Sequence, residues 1–413
     1  MTSIELKMAW RNIWRNPRRS ILTMLAVAFA CLLLIFMLSW QFGSYETMIN
    51  STVKIQTGHI QVQALEFREK NDIRLAVQDP AAIIRILKKT AGINAYTLRS
   101  KTFSLISSKN RTCGAMVIGI DPVREGRMSP LKKLVRKGRY FSSDDSNQAI
   151  IGSLLAKNLR VNIGDELIIL GQGFDGSVAA SMVKVKGIFN SGQDDFDRGL
   201  VHIPLKFFEA VYAMRGAVHE VVVTANSLKE VAEIKKKVAA GLASAGLKTK
   251  LVVLDWKQLM PGLIEAIKMD LVSGLIFYVI LIVVVAFSIL NTFLMAIFER
   301  TREFGILMAL GISAGKLTRL LLLESMTMTL LGVFIGAIAG SLITSYFQAH
   351  GIVIPGSTEL LRQYGLPERM HPRLSLLSAS IGAGIVLLIT SLTALYPALK
   401  VRRLRPLEAM MSA

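Results

Sequence analysis

The stretch "LVSGLIFYVILIVVVAFSILNTFLMAIF", from Leu271 to Phe298, contains no charged residue and decides the fold class. A helix needs about 20 consecutive apolar residues to cross the hydrocarbon core of a bilayer. This run is longer, so it predicts a transmembrane helix over residues 270–298 that tilts or extends beyond the lipid. The charged sequence that begins at Glu299 marks where the chain leaves the membrane.

Three further apolar runs predict transmembrane helices. They cover residues 20–42, 320–347 and 374–397, and we expect Pro397 to end the last one. A removable signal peptide is the alternative for the first run, because Ala28-Phe29-Ala30 resembles a cleavage site. A cleavage site follows the apolar core, whereas this one lies inside it, so we expect a retained anchor.

Lysine and arginine residues predict the orientation of the four spans. They cluster before the first span, between the second and third, and after the fourth: Arg11, Arg15, Arg18 and Arg19; Arg300, Arg302, Lys316 and Arg319; Lys400, Arg402, Arg403 and Arg405. Positively charged loops stay in the cytoplasm. We therefore expect both termini inside, with a cytoplasmic loop over 299–319 and a cytoplasmic tail over 398–413. Residues 43–269 then form a large extracytoplasmic domain, and 348–373 a short outer loop.

The composition supports a protein that is part membrane bundle and part water-soluble domain. Its 413 residues are 52% hydrophobic and 19% charged, a combination that fits neither a soluble protein nor a bare bundle. The formal net charge of +20 reflects cationic loops beside a membrane and an extracytoplasmic segment that is itself net positive, which suits a solvated surface or contact with acidic headgroups or an acidic partner. No basic motif interleaved with aromatic residues indicates nucleic-acid binding, so we expect no nucleic-acid partner.

Residues 1–19 predict an amphipathic cytoplasmic helix. Its apolar positions recur at helical spacing and its basic residues lie opposite: Leu6, Ala9, Trp10, Ile13 and Trp14 against Lys7, Arg11 and Arg15. Such a helix lies in the membrane interface until Pro17 turns the chain into the bilayer. An anchor and a regulatory element are equally compatible with this pattern.

The extracytoplasmic segment alternates strand and helix patterns, which predicts an α+β domain. Alternating or continuous apolar runs mark strands at 59–63, 115–120, 165–170, 183–189 and 219–225, and helical periodicity marks 80–90 and 228–245. No nucleophile motif, paired-carboxylate cleft or metal-ligand spacing is evident, so we expect no metal site and no enzyme. The acidic group Asp194, Asp195 and Asp197 gives only a weak indication of calcium.

The segment "ALGISAGKLTRL", Ala309 to Leu320, resembles a phosphate-binding loop but lacks its spacing. Such a loop needs four residues between its glycine and the Gly-Lys pair, then a hydroxyl residue for magnesium. Only three residues separate Gly311 from Gly315, and Leu317 stands where the hydroxyl belongs. We therefore expect this chain to bind no cofactor of its own.

The third span carries small residues and one acid that predict contacts. Gly332, Gly336 and Gly340 recur every four residues, a spacing that lets another helix approach closely. The partner is either a neighbouring span or a second subunit. Glu324 lies near the cytoplasmic end of the same span, where we expect it to meet an arginine or lysine.

Several stretches resemble the FtsX-like permeases of ABC transporters, and within them the lipoprotein-releasing (LolC/LolE-type) permeases, related to the MacB type. They are "MAWRNIWRNPRRSILTMLAV" (Met8–Val27), "TGHIQVQ" (Thr57–Gln63), "VIGIDPVRE" (Val117–Glu125), "AIIGSLLAKNLRVNIGDELIIL" (Ala149–Leu170), "VKVKGIFNSGQDDFD" (Val183–Asp197), "FERTREFGILMALGISAGKL" (Phe298–Leu317) and "YPALKVRRLRPLEAM" (Tyr396–Met410). The likeness covers nearly the whole chain.

The resemblance implies that the loop after the second span is a coupling helix that docks on a cytoplasmic ATPase. The residues implied are Glu299, Arg300, Arg302, Glu303, Phe304, Gly305, Leu307, Leu310 and Gly311. By itself, the sequence shows a charged, helix-compatible loop. Its charges suit pairing with a partner, and Phe304, Leu307 and Leu310 suit a groove. A loop whose charges serve only membrane orientation is the alternative.

The resemblance also implies partners and a cargo. The chain is expected to work in the bacterial inner membrane, in a dimer with a second copy or a related permease, on an ATPase dimer that binds ATP and Mg²⁺. Membrane lipids and a periplasmic lipoprotein carrier are further partners implied. Lipid-anchored cargo would enter between the first two spans, which makes Met37, Trp40, Phe42, Ile267 and Leu271 candidate contacts, with ordinary lipid or helix contact as the alternative.

Three other functions remain open at this point. They are a MacB-like efflux permease of a tripartite pump, a mechanotransmitting permease that regulates an envelope hydrolase, and a membrane-anchored envelope enzyme. Copurifying partners separate them, because each requires a different neighbour: an adaptor and outer channel, a hydrolase, or none.

Overall fold

A computed structural model describes residues 3–109, 111–246, 250–356, 361 and 369–401. The predicted tail positions Arg402, Arg403 and Arg405, and most of residues 357–368 in the short outer loop, lie outside these ranges. The chain divides into two compact units. The first comprises Met1–Glu46, Ala266–Val353 and Arg369–Ala413, and the second Thr47–Glu265 and Ile354–Glu368.

The helices and strands follow one another in this order. The helices are α1 (Ser3–Arg15), α2 (Pro17–Gln56), α3 (Phe67–Lys70), α4 (Pro80–Lys89), α5 (Pro122–Met128), α6 (Leu131–Leu134), α7 (Ser153–Leu159), α8 (Asp194–Gly199), α9 (Leu205–Val211), α10 (Val231–Ser244), α11 (Trp256–Leu259), α12 (Pro261–Glu299), α13 (Thr301–Ala309), α14 (Ala314–His350) and α15 (Leu376–Val401). The strands are β1 (Ile60–Ala64), β2 (Ile93–Ser107), β3 (Thr112–Ile120), β4 (Val135–Gly138), β5 (Gln148–Gly152), β6 (Glu166–Gln172), β7 (Val178–Phe189), β8 (Leu200–Pro204), β9 (Glu220–Ala225), β10 (Leu251–Asp255), β11 (Ile352–Val353) and β12 (Arg369–Met370).

Four of the described helices, α2, α12, α14 and α15, are long and apolar enough to cross a membrane. Each corresponds to one predicted span. Helix α2 begins at Pro17, a position that proline favours because the first helical residue needs no backbone donor. It continues through Gly43 to Gln56, well past the predicted end at residue 42. Helix α15 likewise passes through Pro397 to Val401, since a membrane helix tolerates a proline that costs one hydrogen bond.

The glycines of α14 pack against α2 within the first unit. A β-carbon built on Gly336 would lie 2.4 Å from the carbonyl oxygen of Ala28. The same construction on Gly332 meets Val27 at 2.8 Å, and on Gly340 meets Leu32 at 3.1 Å. Of the two partners that the sequence allowed, these contacts identify a neighbouring span.

The second unit is built on a ten-stranded mixed sheet. Its strand order is β10-β1-β9-β2-β3-β8-β5-β7-β4, and β6 pairs with both β2 and β7. The pairs β3–β8 and β5–β7 are parallel, and the other pairs are antiparallel. Every strand and helix expected from the sequence pattern is present, with ends that differ by a few residues.

Two main apolar clusters stabilise the second unit. One gathers around Ile106, Val117, Ile151 and Tyr212, beneath β2, β3, β5 and β8. The other gathers around strands β1 and β9, near one edge of the sheet, and the helices α4 and α10. Burial on this scale fixes the sheet as a rigid platform, because each fully buried aliphatic side chain contributes about 1.5–3 kcal/mol.

Candidate functional site: the α12–α14 loop and the outer ends of α2 and α12

The loop between the second and third spans contains a short separate helix. Helix α12 ends at Glu299, α13 runs over nine residues, and α14 starts at Ala314. Gly311 has a φ of 94°, a conformation that glycine adopts without strain. This permits the turn from α13 into α14, so the loop presents one well-formed helix across the ends of two spans.

One side of α13 packs into the chain itself. The Phe304 side chain is 2% exposed and joins Ile297, Leu317 and Leu321 in a small core. Leu307 packs on the edge of this core, and Gly305 is buried. Phe304 therefore holds α13 on α12 and α14 and, in this arrangement, is not available to fill a groove in a partner.

The opposite side of α13 is exposed and partly apolar. Leu310 is 77% exposed and Ile306 is 48% exposed. Arg302, Ala309 and Gly311 are exposed beside them. Residues 302, 306 and 309/310 follow helical spacing, so they form one outward face, which we call the α13 outer face. The sequence pattern did not single out Ile306, although its spacing from Leu310 was a usable signal.

Ion pairs tie the loop to the N-terminal part of the chain. Arg300 pairs with Glu324 at 3.1 Å, and both side chains are nearly buried. Arg19 pairs with Glu299 at 2.8 Å, and Arg15 pairs with Glu303. The expectation that Glu324 meets a cation is thus confirmed. Three of the charges expected to face a partner instead hold the loop to its own chain.

Helix α1 contributes one buried and one exposed side. Ala9 and Ile13 are fully buried, whereas Trp10 and Trp14 are 46% and 50% exposed. The two indole rings contact each other edge to face, with centroids 6.0 Å apart. The five apolar positions therefore do not form a single membrane-facing stripe, because Ala9 and Ile13 pack on the chain.

A chain of hydrogen bonds joins α2 to α12 near the predicted outer ends of these spans. Tyr278 donates to the side-chain oxygen of Gln41 at 2.8 Å, and the amide of Gln41 donates to Tyr45 at 2.8 Å. Tyr45 in turn donates to Asp270 at 2.6 Å. We call these four residues the α2–α12 clasp. Sequence reasoning missed it, because its members are far apart in the chain.

The candidate cargo contacts lie on the same two helices as the clasp. Met37 and Leu271 are 38% and 43% exposed. Trp40, Phe42 and Ile267 are half-buried. These side chains are thus at least partly exposed while the clasp residues pair with one another.

One of the three aspartates that weakly indicated calcium has a structural role. Asp197 is buried and accepts hydrogen bonds from the backbone N–H and the hydroxyl of Ser191, both at 2.8 Å. It therefore fixes the turn after β7. Within the described ranges, no group of three or more His, Cys, Asp or Glu side chains lies close enough to hold a metal ion.

Two protein families match this chain. The MacB-like periplasmic core domain matches residues 20–240, and the C-terminal domain of FtsX-like permeases matches residues 275–406. The first match alone covers more than half of the chain. The protein therefore belongs to the FtsX/MacB/LolC family of ABC transporter permeases, and it is a membrane protein with a large MacB-like domain.

Individual relatives are similar at modest identity. The chain is 24% identical over 310 residues to the lipoprotein-releasing system transmembrane protein LolC of Xylella fastidiosa, which covers 72% of each chain. It is 24% identical over 430 residues to the ABC transporter permease YknZ of Bacillus subtilis, covering 98% of each. The solved extracellular domain of a YknZ transporter from Gram-positive bacteria aligns at 14% identity and a TM-score of 0.36, over 48% of this chain and 100% of that domain.

Proposed function

We propose that this permease couples the cycle of a separate cytoplasmic ATPase dimer to movement of its extracytoplasmic domain, and thereby releases lipoproteins or other lipid-linked cargo from the bacterial inner membrane. ATP and Mg²⁺ bind to the partner in this scheme. The similarity to LolC supports the cargo class. The family supports the ATPase, because ABC transporter permeases work with ATPase subunits.

The α13 outer face is the observation that carries the proposal. Ile306 and Leu310 are large apolar side chains that a cytoplasmic loop exposes next to Arg302. Apolar anchors beside an arginine are the usual composition of a protein interface. Because the inner side of α13 is packed on α12 and α14, a displacement of α13 by the partner moves those two helices with it.

The α2–α12 clasp gives the cargo step a physical basis. A lipid-linked protein that enters between α2 and α12 must separate these helices, and the clasp hydrogen bonds hold them together. Movement transmitted along α12 would break the clasp and expose Trp40 and Phe42, which are half-buried, to the acyl chains. Met37 and Leu271 are already open to lipid on their outer sides.

An apolar sheet surface in the second unit supports a protein partner outside the cytoplasm. Strands β2, β6 and β7 are paired, and they expose six large apolar side chains: Phe103 63%, Leu105 46%, Ile168 47%, Leu170 42%, Met182 57% and Val178 77% exposed. Exposed apolar surface on this scale marks an interaction site. A periplasmic carrier that receives the cargo is the partner that this function requires.

In this proposal both termini are cytoplasmic and the permease acts as a dimer with a second copy or a related permease. The arginines that pair across the loop, Arg15, Arg19 and Arg300, all belong to the clusters that predict the cytoplasmic side. Arg15 and Arg19 pair with glutamates of the loop, and Arg300 of the loop pairs with Glu324 near the end of the third span, which is consistent with one shared aqueous compartment.

Native purification in mild detergent, followed by mass spectrometry of the bound proteins, tests the coupling step. The informative variant is Ile306→Asp with Leu310→Asp, since these side chains are exposed and leave the inner core intact. The matched control places the same charges on exposed apolar residues of the second unit, Leu65→Asp with Val123→Asp. We expect an ABC ATPase to copurify with wild type and control but not with the variant. Equal recovery from the variant would contradict the docking role of the α13 outer face.

The same preparation separates the cargo classes. Triacylated lipoprotein bound to the wild-type complex supports lipoprotein release. An adaptor protein and an outer-membrane channel without lipoprotein would favour the efflux alternative instead. That alternative has its own support, because the chain is 27% identical over 228 residues to the macrolide export protein MacB of Nitrosomonas europaea, which covers 50% of this chain and 32% of that protein.

A further inference from the structure

The second unit contains a partly open cavity of about 300 Å³ that lies on one face of the sheet. This is the lower end of the size range of small-molecule sites. The cavity belongs entirely to residues between Ile55 and Leu259, so it is separate from the α13 outer face and from the α2–α12 clasp.

Strand register divides the cavity into a polar half and an apolar half. On the polar side, Lys101 of β2 lies two residues from Arg99, whose strand partner is Glu220 of β9. On the apolar side, Ile118 of β3 faces Lys101 on one side and His202 of β8 on the other. Phe189 of β7 and Leu131 of α6 continue the apolar side and belong to one buried cluster.

The polar half carries more cationic than anionic side chains. Arg99 pairs with Glu125 at 2.5 Å, and Lys101 pairs with Glu220, so these charges offset each other in two pairs. Arg68 also lines the cavity, and its side chain is exposed. Three cations against two carboxylates give this half a net positive charge, and the cation in excess is Arg68 at the exposed edge of the cavity, which favours an anionic group there.

The apolar half holds a polar atom that the protein leaves without a hydrogen bond. His202 is 9% exposed and lines the cavity, and its Nδ1 has no hydrogen-bond partner. Burial, with a smaller effect from Arg99, lowers the pKa of His202 to about 3, which keeps the ring neutral. An unpartnered buried polar atom costs about 1–3 kcal/mol, and a ligand that bonds to it recovers this free energy.

We propose that this cavity binds a small amphipathic carboxylate whose hydrocarbon or aromatic body carries one hydrogen-bonding group. The carboxylate lies in the polar half, next to Arg68 and Lys101. The body packs against Ile118, Leu131 and Phe189, and its hydrogen-bonding group pairs with His202. The volume admits a ligand of roughly a dozen non-hydrogen atoms with room to spare. This site does not depend on the cargo or on the ATPase.

Saturation-transfer NMR with 3-(4-hydroxyphenyl)propionate tests the site on the full-length chain in lipid nanodiscs. Empty nanodiscs provide the background to be subtracted. We expect saturable binding, at least tenfold weaker binding of the corresponding amide, which lacks the charge, and about threefold to tenfold weaker binding of 3-phenylpropionate, which lacks the hydroxyl. Signals that do not saturate, or equal binding of acid and amide, would overturn the proposal.

Variants place the ligand within the cavity. Arg68→Gln changes an exposed side chain, so it leaves the fold intact, and we expect it to weaken binding of the acid about tenfold. The matched control is Arg85→Gln on α4, which is exposed and does not line the cavity. His202→Gln should abolish the difference between the two acids, provided that its thermal unfolding matches wild type. If Arg68→Gln and Arg85→Gln bind the acid equally, the assigned carboxylate position is wrong.

Discussion

The buried ion pair between Arg99 and Glu125 allows a quantitative test of how the extracytoplasmic domain is stabilised. The two side chains are only 6% and 2% exposed, and two N–H groups of Arg99 donate to the two carboxylate oxygens at 2.5 and 3.1 Å. Glu125→Gln keeps the shape but leaves a buried guanidinium without its counter-charge. Removing one partner of a buried pair costs about 3–5 kcal/mol.

The expected loss lies at the lower end of that range. Glu220 is the strand neighbour of Arg99, and its charge still favours the guanidinium after Glu125 is neutralised. We therefore expect the free energy of unfolding to fall by about 3 kcal/mol. For a domain of this size, a loss of 1 kcal/mol in the free energy of unfolding lowers the midpoint of thermal unfolding by about 2–4 °C. The midpoint should therefore fall by about 6–12 °C.

Thermal unfolding followed by tryptophan fluorescence measures this loss in the full chain. Trp256 is the one tryptophan in the sequence of the second unit, so replacing Trp10, Trp14 and Trp40 by Phe makes the emission specific to it. The exposed pair of Glu66 with Lys70 supplies the control, and Glu66→Gln should change the midpoint by less than about 2 °C.

A double variant distinguishes an unpaired charge from lost packing. Arg99→Met with Glu125→Leu removes both charges and keeps the volume, so it should recover much of the stability lost in Glu125→Gln. If Glu125→Gln lowers the midpoint of thermal unfolding no more than the control Glu66→Gln does, the reasoning is refuted. A double variant less stable than the single one would show that the pair acts through its hydrogen bonds rather than through compensated charge.

Three further predictions concern other parts of the molecule. Burial lowers the pKa of His219 to about 4 and that of His202 to about 3, so the unfolded chain binds protons more readily, and each histidine should lower the free energy of unfolding by about 2 kcal/mol between pH 7 and 5; thermal unfolding at the two pH values measures this, and His219→Gln should remove about half of the loss. Gly336→Ala should destabilise the membrane unit by about 1–3 kcal/mol, because its β-carbon would meet backbone 2.4 Å away. Gly384→Ala is the control, since its β-carbon meets nothing within 4 Å. If the two variants unfold thermally at the same midpoint in detergent, this packing is contradicted. Tyr45→Phe breaks two hydrogen bonds of the α2–α12 clasp, and Asp270→Asn weakens one, so distances between spin labels on α2 and α12 should broaden more in the first variant than in the second; unchanged distances in both would mean that the clasp does not hold the pair.

Much of the fold follows from patterns within single segments. The four spans are long uninterrupted apolar runs, and the strands of the second unit alternate or are continuously apolar, so local periodicity suffices to place them. Their ends were less predictable. Helix α2 runs on through Gly43 to Gln56, because hydropathy reports where a span leaves the lipid and not where a helix ends in water.

The sites were less predictable than the fold, for physical reasons. The α13 sequence is apolar on both sides, so it does not reveal that Phe304 turns inward while Ile306 and Leu310 turn outward. The α2–α12 clasp joins residues more than two hundred positions apart, such as Gln41 and Tyr278. The cavity is lined by strands that neighbour one another only after the sheet has formed.

The unequal packing of the four spans has a consequence for how this sequence can evolve. Only 6% of the most apolar part of α12 is buried inside the chain, against 44% for α2. In this part of α12, most side chains need only be apolar enough for lipid and need not fit a neighbouring helix. Substitutions among leucine, isoleucine, valine and phenylalanine should therefore be tolerated there. On α14, a β-carbon on Gly332 or Gly336 would lie less than 3.0 Å from α2 and one on Gly340 would be tightly packed at 3.1 Å, so these positions favour glycine. Among natural relatives, residue identities should therefore vary most along α12. The residues of the α2–α14 contact should be conserved between distant relatives.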